Sequence, residues 1–313
     1  MLRFFRSGVS GHLQTMAGAL LRRVEPVAWR RERLELEDGD FLELDHAGPD
    51  GEGTDRVLIV HGLGGSSEAP YVRGMARELM RQGLAVTAMN LRGAAGPNRL
   101  ARTYHAGDTG DVLQVAQHLG GGARRLAAVG FSLGGNALVK LMGERGAAAP
   151  FVAAASVCAP LDLEQTARRL NQGLSRAYEQ YLLVALKRSL WRKRRLVARE
   201  LDLQRVMAAS SFAAWDELVT APLHGFESAR DYWARSSARA FISKIERPTL
   251  ILHALDDPFM PPSVLPDPAD VPSCVSVEAT DWGGHVGFLT GLAGPSYADE
   301  RVAGFLAGWL RDR

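Results

Sequence analysis

The feature that most constrains the fold is the segment from Leu126 to Leu141, which reads LAAVGFSLGGNALVKL. An apolar run leads into Gly130 and Ser132, and a helix-forming stretch follows Gly134. This order predicts a buried strand, a sharp turn and a helix, with the serine at the turn. On such a strained turn the serine hydroxyl stands clear of the sheet, beside a helix N-terminus. The segment therefore predicts a nucleophile elbow with Ser132 as the nucleophile, and the alternative is an ordinary loop serine.

The rest of the N-terminal half alternates between strand and helix patterns. Residues 31–44 alternate apolar and polar side chains around Asp38-Gly39, which is typical of a β-hairpin. The predicted elements after it are strand 56–60, helix 71–82, strand 85–90, helix 108–119, the strand and helix that flank Ser132, and strand 151–159. This order predicts an α/β fold with a mostly parallel sheet flanked by crossover helices.

A different pattern begins at Pro160, where strand signals stop and helical periodicity takes over until about residue 245. Strand patterns return at 248–254 and 273–279, and an amphipathic helix is predicted at 297–310. The helical segment is therefore an insertion between two strands of the sheet. One apolar stripe is predicted in it, formed by Leu182, Leu186, Leu190, Val197 and Leu201.

The chain shows no internal repeat and no low-complexity linker, and its 313 residues can bury one large core. We therefore predict a core made of residues 1–160 and 246–313, with the N-terminal segment 1–30 packed on it. A helical cap, residues 161–245, is predicted to be inserted after the sixth strand.

Composition narrows the functional classes. A formal net charge of +2 provides no overall electrostatic basis for binding nucleic acid. Cys158 and Cys274 lie in apolar runs, which favours core positions over a disulfide or a metal site and fits a reducing, cytoplasmic location. The longest apolar stretch near the N-terminus, 16–21, is too short to span a membrane, and no signal peptide pattern is present. We therefore expect this segment to belong to the mature protein.

A serine nucleophile needs a base next to it and a third group that orients the base. After a turn of this kind the acid and then the histidine follow the serine along the chain. The histidine is predicted to be His285, which lies in a glycine-rich loop before the last helix. Asp257 follows the strand 248–254 and precedes Pro261 by four residues, so we choose it as the acid and interpret Asp256 as a turn residue. Weaker candidates for the acid are Asp267, Asp270 and Asp281.

Acyl transfer also needs N–H donors for the negative charge that develops on the carbonyl oxygen. The residue after the nucleophile, Leu133, can offer its backbone N–H. A second donor is predicted at Leu63 in the HGLGG loop after the strand 56–60, where glycines let the backbone turn inward. We interpret His61 as a support of this loop rather than a reacting group. No Lys-Ser/Thr pair follows the glycines, so the loop is not a phosphate loop.

A metal site is an alternative for the histidines in the first half of the chain. His61 and His105 could combine with Asp108 or Asp111, but no HxxxH or HxH spacing supports such a site. A structural role is therefore preferred for His105, and no metal or cofactor is predicted.

A basic run at 187–200 contains seven Lys or Arg residues and one Glu. Such a run is usually a solvated helix face. The alternative is a patch that contacts anionic lipid head groups or acidic substrates, with Trp191 as an anchor at the interface. Aromatic residues are too sparse here for a nucleic-acid surface.

Several motifs extend the pattern over most of the chain. They are GHLQT (11–15), HGLGG (61–65), NLRG followed by PNRL and YHAGDTGD (90–111), GFSLGGN (130–136) and LDDPFMP (255–261). With these motifs the chain resembles the α/β-hydrolase superfamily, and within it the YheT-like branch related to the eukaryotic ABHD lipid hydrolases. The resemblance implies a cofactor-free serine hydrolase with a helical cap, and it places Ser132, Asp257 and His285 at the family's triad positions.

Three functional hypotheses follow. The first is a serine esterase that cleaves carboxylic esters. The second is an acylglycerol or phospholipid hydrolase that works at a membrane surface through the basic cap, since some relatives act on such lipids. The third, weakened by the intact set of Ser132, Asp257 and His285, is an inactive α/β-hydrolase fold that serves as a binding protein.

Overall fold

The apolar runs of the chain come together in one sheet. The computed structural model of the protein describes residues 10–51 and 53–311. The strands in these residues are β1 (Arg30–Glu35), β2 (Phe41–Ala47), β3 (Thr54–Val60), β4 (Ala85–Asn90), β5 (Ala123–Phe131), β6 (Ala154–Val157), β7 (Thr249–Ala254) and β8 (Val275–Thr280). Their order in the sheet is β1-β2-β4-β3-β5-β6-β7-β8.

The sheet is mostly parallel, as predicted. β1 and β2 form the predicted antiparallel hairpin, and β2 pairs antiparallel with β4. Every other neighbouring pair is parallel, so the carboxyl ends of β3 to β8 lie at one edge of the sheet. This edge is where an open parallel sheet places its functional loops.

Helices cover both faces of the sheet. The α-helices outside the insertion are α1 (Gly11–Leu20), α2 (Pro70–Arg81), α3 (Thr109–Gly120), α4 (Leu133–Arg145) and α12 (Tyr297–Arg311), and short 3-10 helices lie at Gly146–Ala148, Pro262–Val264 and Pro268–Asp270. Leu58 and Val60 of β3 belong to the apolar layer that contains α3 and α4. Val57 and Ile59 belong to the layer that contains α2 and α12. This alternation reflects the two-residue period of side chains along a strand, so β3 is buried on both faces.

The insertion between β6 and β7 is helical, which confirms a cap after the sixth strand. Its α-helices are α5 (Leu163–Leu170), α6 (Ser175–Arg192), α7 (Arg194–Val197), α8 (Leu203–Ala208), α9 (Phe212–Trp215), α10 (Ala221–His224) and α11 (Ala229–Ser236). A π-helical turn, Asp216–Thr220, and a 3-10 segment, Ala238–Lys244, complete it. The bounds of the core and cap as separate domains stay a prediction.

The predicted apolar stripe of the cap is wrong by one position at its start. Leu183, rather than Leu182, is buried with Leu190, Val197 and Leu201 around Trp215. Leu182 is only half-buried. Leu183, Leu190 and Val197 follow one another at intervals of seven residues, which keeps them on one side of α6 and α7, although Lys193 separates the two helices.

Two other predictions concern the chain ends and the cysteines. The two cysteines are unpaired; Cys158 is buried, as expected for a core position, and Cys274 is half-buried.

Strand β6 is shorter than predicted at both ends, and at its carboxyl end it stops before Cys158, whose φ of 48° lies outside the extended region. Residues 1–9 of the N-terminal segment lie outside the described residues, whereas α1 packs on the core. In the part of the chain that the structure describes, no helix has the length and apolar character needed to cross a bilayer.

Candidate active site

The turn between β5 and α4 holds Ser132 in a strained conformation. Its φ of 49° and ψ of −121° lie in a region that residues other than glycine rarely adopt. The flanking glycines allow the strand and helix to approach, because a Cβ on Gly130 would collide with the carbonyl oxygen of Gly134. A Cβ on Gly134 would likewise collide with the backbone at the end of β3. The turn therefore has the form that the sequence predicts, with a partly exposed serine at its tip.

The structure brings the three predicted triad residues together. The Oγ of Ser132 lies 2.9 Å from Nε2 of His285. Nδ1 of the same ring lies 2.9 Å from Oδ2 of Asp257. Because the carboxylate accepts a hydrogen bond, Nδ1 carries the proton and Nε2 is left to accept from the hydroxyl. Asp257 and His285 are buried, so the pair is shielded from bulk water.

The two neighbouring aspartates after β7 have different partners. Burial would raise the pKa of Asp257, but the charge and hydrogen bond of His285 outweigh it and lower that pKa. Oδ1 of Asp257 also accepts the N–H of Phe259 at 2.8 Å. Asp256 accepts the N–H of Gly284 at 2.8 Å instead, and burial raises the pKa of its carboxyl. Asp256 thus holds a turn, as interpreted, and Asp257 faces the imidazole.

Two tyrosines hold the loop after β3. The hydroxyl of Tyr71 accepts the N–H of Gly62 at 3.0 Å, and the hydroxyl of Tyr104 accepts the N–H of Gly64 at 2.9 Å. The N–H of Leu63, between them, donates to no group among residues 10–51 and 53–311. A Cβ on Gly62 would lie 3.0 Å from Cβ of Ser132, so this loop runs directly past the serine.

Leu133 offers the second backbone N–H beside the serine. It is the first residue of α4, where helix N–H groups have no partner within the helix. Within the described residues its N–H has no acceptor. The positive end of the helix dipole adds to its ability to bind a negative oxygen.

His61 supports the loop after β3, in agreement with its interpretation from sequence. Its Nδ1 donates to the carbonyl oxygen of Gly62 at 2.7 Å, and its Nε2 accepts the N–H of Leu91 at 3.1 Å. Full burial lowers the pKa of His61 to about 4, so the ring is neutral. A neutral ring is what these two hydrogen bonds require.

The ring of His285 is covered by aromatic residues that were not selected from the sequence. The ring of Phe259 stacks on His285 with centroids 4.0 Å apart and planes 11° apart. Tyr178 of α6 packs on Phe259 at 5.1 Å. Phe259 lies inside the LDDPFMP motif, and Tyr104, which holds the loop after β3, lies inside YHAGDTGD. These motifs could therefore have indicated both residues. No motif in the sequence indicated Tyr71 or Tyr178.

The alternative metal site does not form around His105. Its ring packs edge-on against His224 at 4.5 Å, and its Nδ1 accepts the N–H of Gly107. Asp111 accepts two hydrogen bonds from Arg92, each at 2.7 Å, and Asp108 accepts one from Arg102. These side chains are therefore engaged in structural contacts.

One close group of three metal-ligand types occurs in the described part of the chain. Ligand atoms of Cys158, Asp257 and His285 lie within 4.8 Å of one another. Burial, together with the charge of Asp257, raises the pKa of the Cys158 thiol well above its ordinary value. Because a thiolate is the form that binds metal, and His285 and Asp257 already bind each other, this group is poorly suited to hold an ion.

Comparisons with known proteins identify the family to which the chain belongs. A family model described as "alpha/beta hydrolase fold" matches residues 55–292. The chain therefore belongs to the α/β-hydrolase fold family. Over 308 residues it is 37% identical to the putative esterase YheT of Escherichia coli, covering 96% of this chain and 91% of that protein, which places it in the YheT-like branch.

More distant proteins extend the comparison. The human phospholipase ABHD3 is 28% identical over 294 residues, which cover 90% of this chain and 72% of that protein. The solved structure of the Pyrococcus furiosus esterase Pf2001 aligns with a TM-score of 0.59 at 16% identity, over 92% of this chain and 98% of that one. At this identity the structural match supports the fold alone.

Proposed function

We propose that this protein is a serine hydrolase that cleaves carboxylic esters. The observation that carries the proposal is the hydrogen-bonded series of Ser132, His285 and Asp257, with both distances at 2.9 Å. Relatives named as esterase and phospholipase support hydrolysis of esters as the reaction class. A carboxylate kept ionised beside the imidazole stabilises the imidazolium that forms during proton transfer.

The reaction follows from this arrangement in two halves. His285 Nε2 takes the proton from Ser132 as Oγ bonds to the ester carbonyl carbon, and the carbonyl oxygen becomes negative. The N–H groups of Leu63 and Leu133 are proposed to bind this oxygen. The imidazolium then gives its proton to the leaving alcohol as the C–O bond breaks, which leaves an acyl-enzyme. In the second half His285 takes a proton from water as the water oxygen bonds to the acyl carbon. The imidazolium then returns this proton to Oγ of Ser132 as the acyl C–O bond breaks and the acid is released.

Substitution of the nucleophile tests the proposal. We expect Ser132→Ala to abolish hydrolysis of a short p-nitrophenyl ester and labelling by a fluorophosphonate. Ser276→Ala, at an exposed position of β8, is the matched control and should keep both. Undiminished turnover by Ser132→Ala would refute the assignment. A wild-type protein that resists the fluorophosphonate would favour the inactive binding fold.

A second candidate function, lipid ester hydrolysis at an anionic membrane, is favoured by the outer face of α6. Tyr181, Val184 and Trp191 lie on one exposed side of this helix. Exposed arginines of α6 and α7 lie near them in the chain, and we call this set the basic patch: Arg188, Arg192, Arg194 and Arg195 with Trp191. The guanidinium of Arg194 lies 5.2 Å from the centre of the Trp191 ring. Apolar anchors beside cations are typical of surfaces that bind anionic lipid head groups.

Not all of the basic run is available for such binding. Lys193 is buried and donates to the carbonyl oxygens of Ala101 and Arg102 at 3.1 and 2.7 Å. Lys187 donates to the carbonyl oxygen of Ala209 at 2.6 Å. The arginines rather than the lysines would therefore contact lipid.

Vesicle co-sedimentation tests the membrane function. At low salt the wild type should bind phosphatidylglycerol-containing vesicles more strongly than pure phosphatidylcholine vesicles, because anionic lipid attracts the basic patch. Arg188→Glu with Arg192→Glu should remove this preference, whereas Arg145→Glu with Arg230→Glu, which reverses two exposed charges outside the patch, should not. Equal binding of wild type to both vesicles would exclude this function. The cytoplasmic location stays a prediction.

A further inference from the structure

Helix α1 lies outside the part of the chain that matches the family model, yet it contacts the loops that carry two members of the triad. We propose that α1 is a positioning element of the active site and that Thr15 is the residue through which it orients His285. This inference rests on the proposed function, because it concerns the same triad.

The hydroxyl of Thr15 joins α1 to the backbone of the catalytic histidine. Its Oγ1 accepts the N–H of His285 at 2.8 Å and donates to the carbonyl oxygen of Gly11 at 2.7 Å. Thr15 is only 8% exposed, so no bulk water is at hand to replace it. The hydroxyl of Thr15 therefore both accepts and donates a hydrogen bond, and it is the acceptor that satisfies the buried N–H of His285.

The loop around His285 needs support from outside itself. Gly283, Gly284, Val286 and Phe288 all have positive φ, at 144°, 59°, 53° and 44°. Such conformations are costly for valine and phenylalanine and persist only where surrounding contacts impose them. Gln14 of α1 provides one such contact, because its Oε1 accepts the N–H of Leu289 at 3.0 Å.

The helix also lies in direct contact with the loops of both partners of Ser132. A Cβ on Gly287 would lie 2.7 Å from the carbonyl oxygen of Gln14, so the histidine loop rests on the helix backbone. A Cβ on Gly11 would collide with the carbonyl oxygen of Asp256, the neighbour of Asp257. The GHLQT motif thus places its glycine against the acid loop and its polar side chains against the histidine loop.

The far end of α1 is fixed to the core. Arg22 forms a buried ion pair with Asp299 of α12, and the N–H of Arg23 donates to the carbonyl oxygen of Leu292 at 2.7 Å. A helix anchored in this way provides a rigid reference for His285. An error of about 1 Å in the position of a catalytic group can lower the rate about a hundredfold.

The decisive variant is Thr15→Val, which keeps the shape of the side chain and removes the hydroxyl. We expect a loss of kcat of about tenfold to a hundredfold for a p-nitrophenyl ester, with little change in KM, because binding does not require the imidazole. Thr15→Ser should restore kcat. Met16→Ala, a neighbour on the exposed side of α1, is the matched control and should leave kcat unchanged. If Thr15→Val does not fold, Thr15→Cys, a weaker acceptor of similar size, takes its place.

A second readout separates positioning from mere stability. Active sites are counted by fluorophosphonate titration so that kcat refers to folded protein, and the low-field proton NMR signal between His285 and Asp257 is recorded for each variant. We expect this signal to shift in Thr15→Val and to stay in place in Met16→Ala. A lower melting temperature with unchanged kcat per site and an unchanged signal would overturn the proposal. If Ser132→Ala kept its activity, the proposed function would fail, but the NMR signal would still report whether Thr15 orients His285.

Discussion

At the residue scale, the strand-end pair Asp256 and Asp257 shows how neighbouring carboxylates take different tasks. The first accepts the N–H of Gly284, and the second accepts Nδ1–H of His285 and the N–H of Phe259. Because consecutive residues point in different directions, only one of the two can reach the imidazole. The difference between them can be measured directly.

We expect Asp257→Asn to lower kcat on the order of 10³- to 10⁴-fold, because an amide cannot stabilise the imidazolium and favours the wrong tautomer. Asp256→Asn keeps an oxygen that can accept from Gly284, so its kcat should fall by less than about tenfold. Steady-state kinetics on a p-nitrophenyl ester compares the two. A loss as large in Asp256→Asn as in Asp257→Asn would contradict the assignment of the acid.

The tyrosines around Leu63 make a second prediction at this scale. Tyr104→Phe removes the acceptor of the Gly64 N–H, so the loop after β3 should lose its alignment with Ser132. We expect kcat to fall about fivefold to tenfold, the effect of one hydrogen bond, with KM nearly constant. With a soluble p-nitrophenyl ester, whose hydrolysis does not involve the proposed membrane face, Tyr181→Phe at an exposed position of α6 is the control. Full activity in Tyr104→Phe would show that the loop does not need this bond.

At the scale of elements, the segment between β4 and α3 is held by a buried arginine. The guanidinium of Arg92 is inaccessible to solvent and pairs with Asp111, Asp40 and Asp38. The side chain of Asn98 donates to Asp40, and Lys193 from the end of α6 binds the carbonyl oxygens of Ala101 and Arg102. This network orders the segment that carries Tyr104 and joins it to the cap.

Removal of one partner from this network should be costly. Asp111→Asn removes the carboxylate that accepts two hydrogen bonds from Arg92, while Asp38 and Asp40 still balance its charge. We expect a loss of about 1–3 kcal/mol in the free energy of unfolding. Arg30→Met breaks the exposed pair with Asp50 and should cost less than about 1 kcal/mol. Urea unfolding measures both. Equal effects of the two substitutions would mean that the buried pair contributes no more than a surface pair.

At the scale of the whole molecule, buried groups whose pKa values are shifted in opposite directions determine how the free energy of unfolding changes at low pH. Burial lowers the pKa of His61 to about 4, that of His105 to about 3 and that of His224 to about 2. Burial raises the pKa of Asp216 to about 6. The histidines favour the folded state when neutral, and Asp216 favours it when protonated, so the two kinds of group oppose each other below neutral pH.

The sign of each contribution follows from proton linkage. The pKa of a histidine in the unfolded chain is about 6.5. The free energy of unfolding of wild type should therefore exceed that of His61→Gln by the full amount above this pH. The difference should shrink as the pH falls toward 4, by up to about 3 kcal/mol. Asp216→Asn should change in the opposite direction, becoming more stable relative to wild type as the pH rises from about 4 through 6. Denaturant unfolding at several pH values tests both. Parallel pH curves for His61→Gln and wild type would contradict a depressed pKa at His61.

The order of elements and the chemistry of the site were determined by the sequence itself. Apolar periodicity and glycine spacing are local properties, so they predicted the hairpin, the parallel sheet, the cap after the sixth strand and the turn at Ser132. Because parallel strands end at one edge, chain order selected His285, and the spacing of Asp257 to Pro261 distinguished it from Asp256. The structure brings His285 and Asp257 within hydrogen-bond distance.

Tertiary structure alone decided which distant groups support that site. Thr15 meets His285 across 270 positions of the chain, and Tyr71 meets the N–H of Gly62 because α2 folds back on β3. The burial of Lys193 inside a basic run likewise depends on a loop nearly a hundred residues away. No local pattern carries such contacts, because they arise from the packing of helices on a sheet and not from the period of a single element.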